Sequence, residues 1–124
     1  MDEVTCGVPR LAGVHHLKLP VCDLEHSAAW YERTLGYHRA IEVVEDGWLM
    51  GLGLIHPGSG PELGLRLDPG RAQAAAGFDY FAIGIPTPAL IEALATRLDA
   101  LGERPPGVRS PTDRDAVEWT GVSR

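Results

Sequence analysis

The chain has 124 residues, 44% of them hydrophobic and 23% charged, with a net charge of −6. That is one domain with enough length to bury a core, and no apolar run approaches the roughly 20 residues of a membrane helix. The acidic balance argues against nucleic acid or an anionic membrane as partner, since both reward clustered Lys and Arg, and it mildly favours neutral or cationic ligands. Met1 to Leu11 carries Asp2 and Glu3 and no apolar stretch, so it does not read as a signal peptide. Cys6 and Cys22 show neither metal spacing nor a disulfide framework, which makes a reducing cytoplasm the expected compartment.

In chain order, Val14 to Val21 predicts a strand. Leu17, Leu19 and Val21 alternate with His16, Lys18 and Pro20, the period of a strand with one face on a core and a second, more polar face elsewhere. Asp23 is placed to accept from the free N–H groups of a following helix. Leu24, Ala28, Tyr31 and Leu35 form one apolar stripe along it, and Gly36 stands where a left-handed C-cap belongs. Ala40 to Val44, Trp48 to Ile55 and Glu62 to Leu67 read as three further strands. Glu45-Asp46-Gly47 and the segment from His56 to Pro61 supply turn chemistry between them. The unit is βαβββ.

Asp68-Pro69-Gly70 and the Ala-rich segment to Gly77 form a linker with the composition of a short helix. The opening pattern then returns. Phe78 to Ile85 predicts a strand, Thr87-Pro88 a helix start, Ile91, Leu94, Leu98 and Leu101 an apolar stripe, and Gly102 its stop. The segment from His16 to Gly36 thus matches that from Tyr80 to Gly102 in order and kind, and an internal duplication is the reading that explains both. The second copy is shorter: Glu103 to Arg114 is rich in Pro, Gly, Arg, Ser and Asp, and Ala116 to Thr120 is the one clear strand after it. Either a strand or two is lost, or the chain around Val108 pairs weakly.

His16-Leu17-Lys18-Leu19-Pro20-Val21-Cys22-Asp23, followed by Ser27-Ala28-Ala29-Trp30-Tyr31-Glu32-Arg33-Thr34-Leu35-Gly36, resembles the opening of vicinal oxygen chelate proteins: glyoxalase I, the extradiol dioxygenases, fosfomycin-modifying enzymes and bleomycin-sequestering proteins. The resemblance covers about residues 12 to 102. It implies an α+β fold in which two βαβββ modules curl into a mixed-sheet cup, the second module truncated here. A single domain over 1–124 would hold module one at about 12–67, a linker at 68–77 and module two at about 78–120. The resemblance further implies a homodimer, and one divalent metal (zinc, nickel, manganese or iron) at the base of the cup.

In that family the metal ligands come from the first and last strands of each module. The first-strand histidine matches His16, and the corresponding position of the second module is Tyr80, where metal-binding members have His. The last-strand Glu of module one lands on Gly64, with Glu62 two residues earlier on the same face; that of module two best matches Glu118. His16, Glu62 and Glu118 are therefore the metal candidates, with Glu118 also the candidate proton carrier. A catalytic metal wants about three protein ligands and an open position, and Tyr80 is a poor substitute for His.

The concave face is expected to present His16, Lys18, Glu62, Arg66, Tyr80 and Glu118. Lys18 and Arg66 would suit a carboxylate or phosphate, and Trp48 would wall the pocket; surface exposure is the usual fate of such cations. His15 sits on the other phase and reads as structural, Trp30 and Tyr31 as core or dimer contact, and His26, His38 and His56 are assigned no role. Two functions follow. One is a small-molecule-binding protein that holds an organic compound in the cup. The other is a metal-dependent lyase, isomerase or dioxygenase acting on vicinal oxygens, in which the metal stabilises an oxyanion while a carboxylate moves the proton.

Overall fold

The computed structural model describes residues 4–76, 83–103, 108–109 and 116–117. Its centre is the predicted βαβββ unit: β3 (His16–Val21), α1 (Leu24–Leu35), β4 (His38–Glu45), β5 (Trp48–Ile55) and β6 (Glu62–Leu67). Before it, β1 (Val4–Thr5) and β2 (Val8–Pro9) form a small antiparallel ribbon. After it come α2 (Pro69–Ala75), α3 (Pro88–Ala100), and the antiparallel pair β7 (Val108–Arg109) and β8 (Ala116–Val117).

The four long strands make one sheet in the order β3-β6-β5-β4. β3 and β6 run parallel, while β6–β5 and β5–β4 are antiparallel. Parallel pairing of β3 with β6 requires the chain to cross back over one face, and α1 makes the first part of that crossing. Register shifts between Arg39 and Ile41 and between Val43 and Val44 interrupt the β4–β5 ladder. Such bulges bend a strand and increase its twist, which curls the sheet away from α1.

Helix α1 forms where the sequence places it, with caps at both ends. The Asp23 carboxylate accepts from the His26 N–H at 3.0 Å, and Gly36 takes the left-handed conformation at φ 80° that only glycine adopts without strain. The helix lays Leu24, Ala28 and Tyr31 on the convex face of the sheet, where Leu52, Leu54, Leu63 and Leu65 meet them with at most 2% exposure. Burying each such leucine contributes about 1.5–3 kcal/mol. Trp30 belongs to this core as well.

Helix α3 starts at Thr87, whose hydroxyl accepts from the Leu90 N–H, and buries Ile91 and Leu98. It is tied to α1 by polar contacts. The Arg97 guanidinium donates to the Thr34 and Arg33 carbonyls at 2.9 and 2.8 Å, satisfying groups that the end of α1 leaves without helical partners. Trp30 Nε1 and Arg33 both donate to the Glu103 carboxylate.

Two features depart from the sequence reading. The β1–β2 ribbon was not foreseen: Cys6 and Gly7 both take positive φ, as a two-residue hairpin turn requires, but Cys-Gly is a weak turn signal. Strand β4 begins two residues earlier than expected, at His38. Of the strand expected over Phe78 to Ile85, residues 78–82 lie outside the described residues, and residues 83–85 hold a bridge at Gly84. The chain around Val108 does pair, with Ala116–Val117.

Candidate functional site

The concave face of the sheet is set by strand alternation. With Leu17, Leu19, Leu52, Leu54, Leu63 and Leu65 packed toward the core, the opposite phase collects His16 and Lys18 from β3, Glu62, Gly64 and Arg66 from β6, Gly51 and Gly53 from β5, and Ile41, Val43 and Glu45 from β4. These residues line a cavity of about 620 Å³, to which His15 also contributes.

The strand register arranges them in rows. Lys18 pairs with Gly64, Gly64 with Gly53, and Gly53 with Ile41, so one row crosses the cup from cation to branched hydrocarbon over two glycines. In the next row Pro20 pairs with Arg66, Arg66 with Gly51, and Gly51 with Val43. The glycines are required by close approach. A Cβ on Gly53 would stand 3.0 Å from Ile41 Cβ, one on Gly51 3.1 Å from the Leu65 carbonyl oxygen, and one on Gly64 3.3 Å from Lys18 Cγ.

Arg66 lies in the cavity lining, but its charge is engaged. Both guanidinium nitrogens reach the Glu45 carboxylate at 2.8 Å in a bidentate pair that passes across β5. The hydrogen bonds and charge of Arg66 hold the Glu45 carboxyl below the usual carboxylate range, and Glu45 in turn raises Arg66. Lys18 and Glu62 have no side-chain partner among the described residues. His16 stacks edge-on against His15, with ring centroids 5.1 Å apart and the two Nδ1 atoms at 2.9 Å. His15, read as structural, thus faces the cavity beside His16.

Trp48 does not. It heads β5 next to the Asp46-Gly47 turn, 72% exposed and outside the cavity lining. Tyr80 and Glu118 lie outside the described residues.

A second group holds the end of β6 in place. The Tyr37 hydroxyl donates to the Pro61 carbonyl at 2.9 Å, immediately before Glu62, and burial pushes its phenol above the ordinary tyrosine value. Tyr37 packs edge-on against His56. The Gly58 N–H donates to His56 Nδ1 at 3.1 Å. His56 Nε2 therefore carries the proton and donates to the Leu35 carbonyl at 2.8 Å. His56, assigned no role from sequence, fastens the β5–β6 turn to the end of α1.

The described residues do not by themselves fit a metal ion. No group of three or more His, Cys, Asp or Glu side chains converges among them. The position expected to carry the module-one carboxylate is Gly64, which leaves Glu62, paired in register with His16, as the one candidate carboxylate among the described residues.

What the sequence reading missed is the apolar half of the cup: Ile41, Val43 and the glycines of β5. A signal was present, because Gly51 and Gly53 alternate with Leu52 and Leu54, placing every glycine on one face.

No curated protein matches the chain. Among solved structures, the glyoxylase/bleomycin resistance protein/dioxygenase domain from Frankia sp. EAN1pec superposes with a TM-score of 0.60 at 22% identity, over 93% of this chain and 94% of that one. An integron cassette protein from the mobile metagenome of the Halifax Harbour sewage outfall gives 0.59 at 16% identity, over 82% and 80%. At such identities both speak for the fold alone. The family model Glyoxalase/Bleomycin resistance protein/Dioxygenase superfamily matches residues 13–118. With that match spanning the βαβββ unit and the cup, the chain belongs to the glyoxalase/bleomycin resistance protein/dioxygenase superfamily.

Proposed function

We propose that this chain is a small-molecule-binding protein whose organic ligand lies in the concave cavity of the four-stranded sheet. The observation that carries the reading is the cavity itself. About 620 Å³ falls within the roughly 300–1,000 Å³ of small-molecule sites, and the combination of a mainly apolar lining with a few convergent polar groups is what such sites use. A metal-dependent lyase, isomerase or dioxygenase is the second reading. It is favoured by His16 on the cavity face with Glu62 opposite it in register, and it needs further ligands from beyond the described residues.

A melting screen on protein purified without an affinity tag, combined with elemental analysis, separates the two. The binding reading expects melting temperature to rise with apolar or aromatic compounds and little bound metal. Retained metal near one ion per chain, with stabilisation on metal addition, would favour the enzyme.

We also propose a homodimer in a cytoplasmic setting. All eight residues of β4 are exposed, with Ile41, Val44 and Trp48 among the large apolar side chains left uncovered, and an open edge strand of this kind invites pairing. Cys6 and Cys22 are free thiols, in keeping with a reducing compartment. Among the described residues no helix is long and apolar enough to cross a membrane.

A further inference from the structure

We infer that the ligand is an apolar organic carboxylate, its acid group read by Lys18 and its hydrocarbon body laid over Gly53 and Gly51 against Ile41 and Val43; this rests on the reading of the cavity as a ligand site. Because Gly64 has no side chain, the Lys18 stem lies down beside it, with Cγ 3.3 Å from where a Cβ would be. The stem therefore starts out leaning toward β6, on the cavity face, with the residue still exposed. At the other end of the same row Ile41 folds onto Gly53 in the same manner. Neither Gly64 nor Gly53 adds a side chain of its own between them, which keeps the floor of the row low enough for a flat body.

The charges select the acid group. Four charged side chains face the cavity among the described residues: Lys18, Glu45, Glu62 and Arg66. Glu45 and Arg66 neutralise each other. Glu62 lies one row from Lys18, opposite His16. A ligand carboxylate is repelled from that end and held at Lys18, which directs the rest of the molecule toward β4 and β5. The chain's net charge of −6 does not oppose this, since charges beyond about 8 Å are largely screened at physiological salt.

Calorimetry with 2-naphthoate and its neutral analogue 2-naphthylmethanol tests the inference on the parent, Lys18→Met, Gly53→Ala and the double variant Gly53→Ala/Ile41→Ala, each checked for folding by circular dichroism. The expected result is that the parent prefers the acid by about fivefold, the size of a favourable exposed ion pair. Lys18→Met should erase that preference while binding the alcohol as before. Gly53→Ala, by pushing Ile41 into the cup, should weaken both probes, and the double variant, which removes that obstruction together with the Ile41 wall, should recover only part of the loss.

If the parent binds the alcohol as tightly as the acid, or if Lys18→Met keeps the preference, the carboxylate assignment is overturned while the cavity remains a ligand site. If neither probe binds the folded parent, the cavity reading fails and the assignment falls with it.

Discussion

The two edges of the sheet are built differently. At the β3 edge, Val21 and the neighbouring Leu63 and Leu65 of β6 are buried in the core, while the opposite face carries His16, Lys18, Glu62 and Arg66. At the β4 edge no residue is buried. Arg39 alone ties β4 to α1 by ion pairs, to Glu25 and Glu32, and the concave face offers Ile41 and Val43. The first edge derives its stability from packing and offers charge to the cup. The second is held by its ladder to β5 and offers hydrocarbon. In this sheet, the polar and apolar halves of the cavity come from opposite edges.

The comparison predicts where truncation is felt. Leu54→Ala and Leu63→Ala, at 0% and 1% exposure, should cost about 2–5 kcal/mol in denaturant unfolding. Val43→Ala at 40% exposure should stay within about 1 kcal/mol, and its effect should fall on ligand affinity instead. Equal losses at both edges would break the distinction.

A smaller effect is expected from Tyr37→Phe. It leaves the Pro61 carbonyl without its donor and should cost about 0.5–1.5 kcal/mol; the amide of Glu62 should shift in NMR spectra, because that contact holds the start of β6. Ser27→Ala should be neutral or stabilising by up to about 1 kcal/mol. The serine hydroxyl is fully buried without a hydrogen-bond partner among the described residues, so its removal relieves an uncompensated desolvation.

The smallest effect on stability belongs to Glu45→Gln. In the parent, Arg66 holds the Glu45 carboxyl low. The pair's contribution is therefore present above the ordinary carboxylate pKa and fades as pH falls through the lowered folded value. Both partners are exposed, so the difference in melting temperature between parent and variant should be slight, vanish in acid, and shrink with salt. Freeing Arg66 should tighten binding of 2-naphthoate at neutral pH, making the cup's two cationic rows alike.

Much of the fold was legible because its signals are local. Alternation placed β5 and β6 at the observed bounds, and Asp23, Gly36, Thr87 and Gly102 marked both long helices through groups that act within one turn of backbone. The site was legible in part. His16, Lys18, Glu62 and Arg66 fell on the concave phase because strand period alone decides it. That Arg66 is occupied was not readable, since Glu45 reaches it from two strands away and only the tertiary register brings them together. Trp48 lies outside the cavity lining, and strand period agrees, since it shares the parity of Leu52 and Leu54 rather than that of Gly51 and Gly53. His15 was misjudged because it precedes the regular strand and escapes its alternation.

The claim that the concave face is the ligand site is tested most directly by titrating 2-naphthoate into isotopically labelled protein and following the backbone amides. The account predicts that the resonances of Gly51, Gly53, Gly64 and Lys18 move together and saturate, while those of Ala28 and Leu98 on the helices stay fixed. Saturable shifts confined to α1 or α3, with the glycines of the cup unmoved, would contradict it.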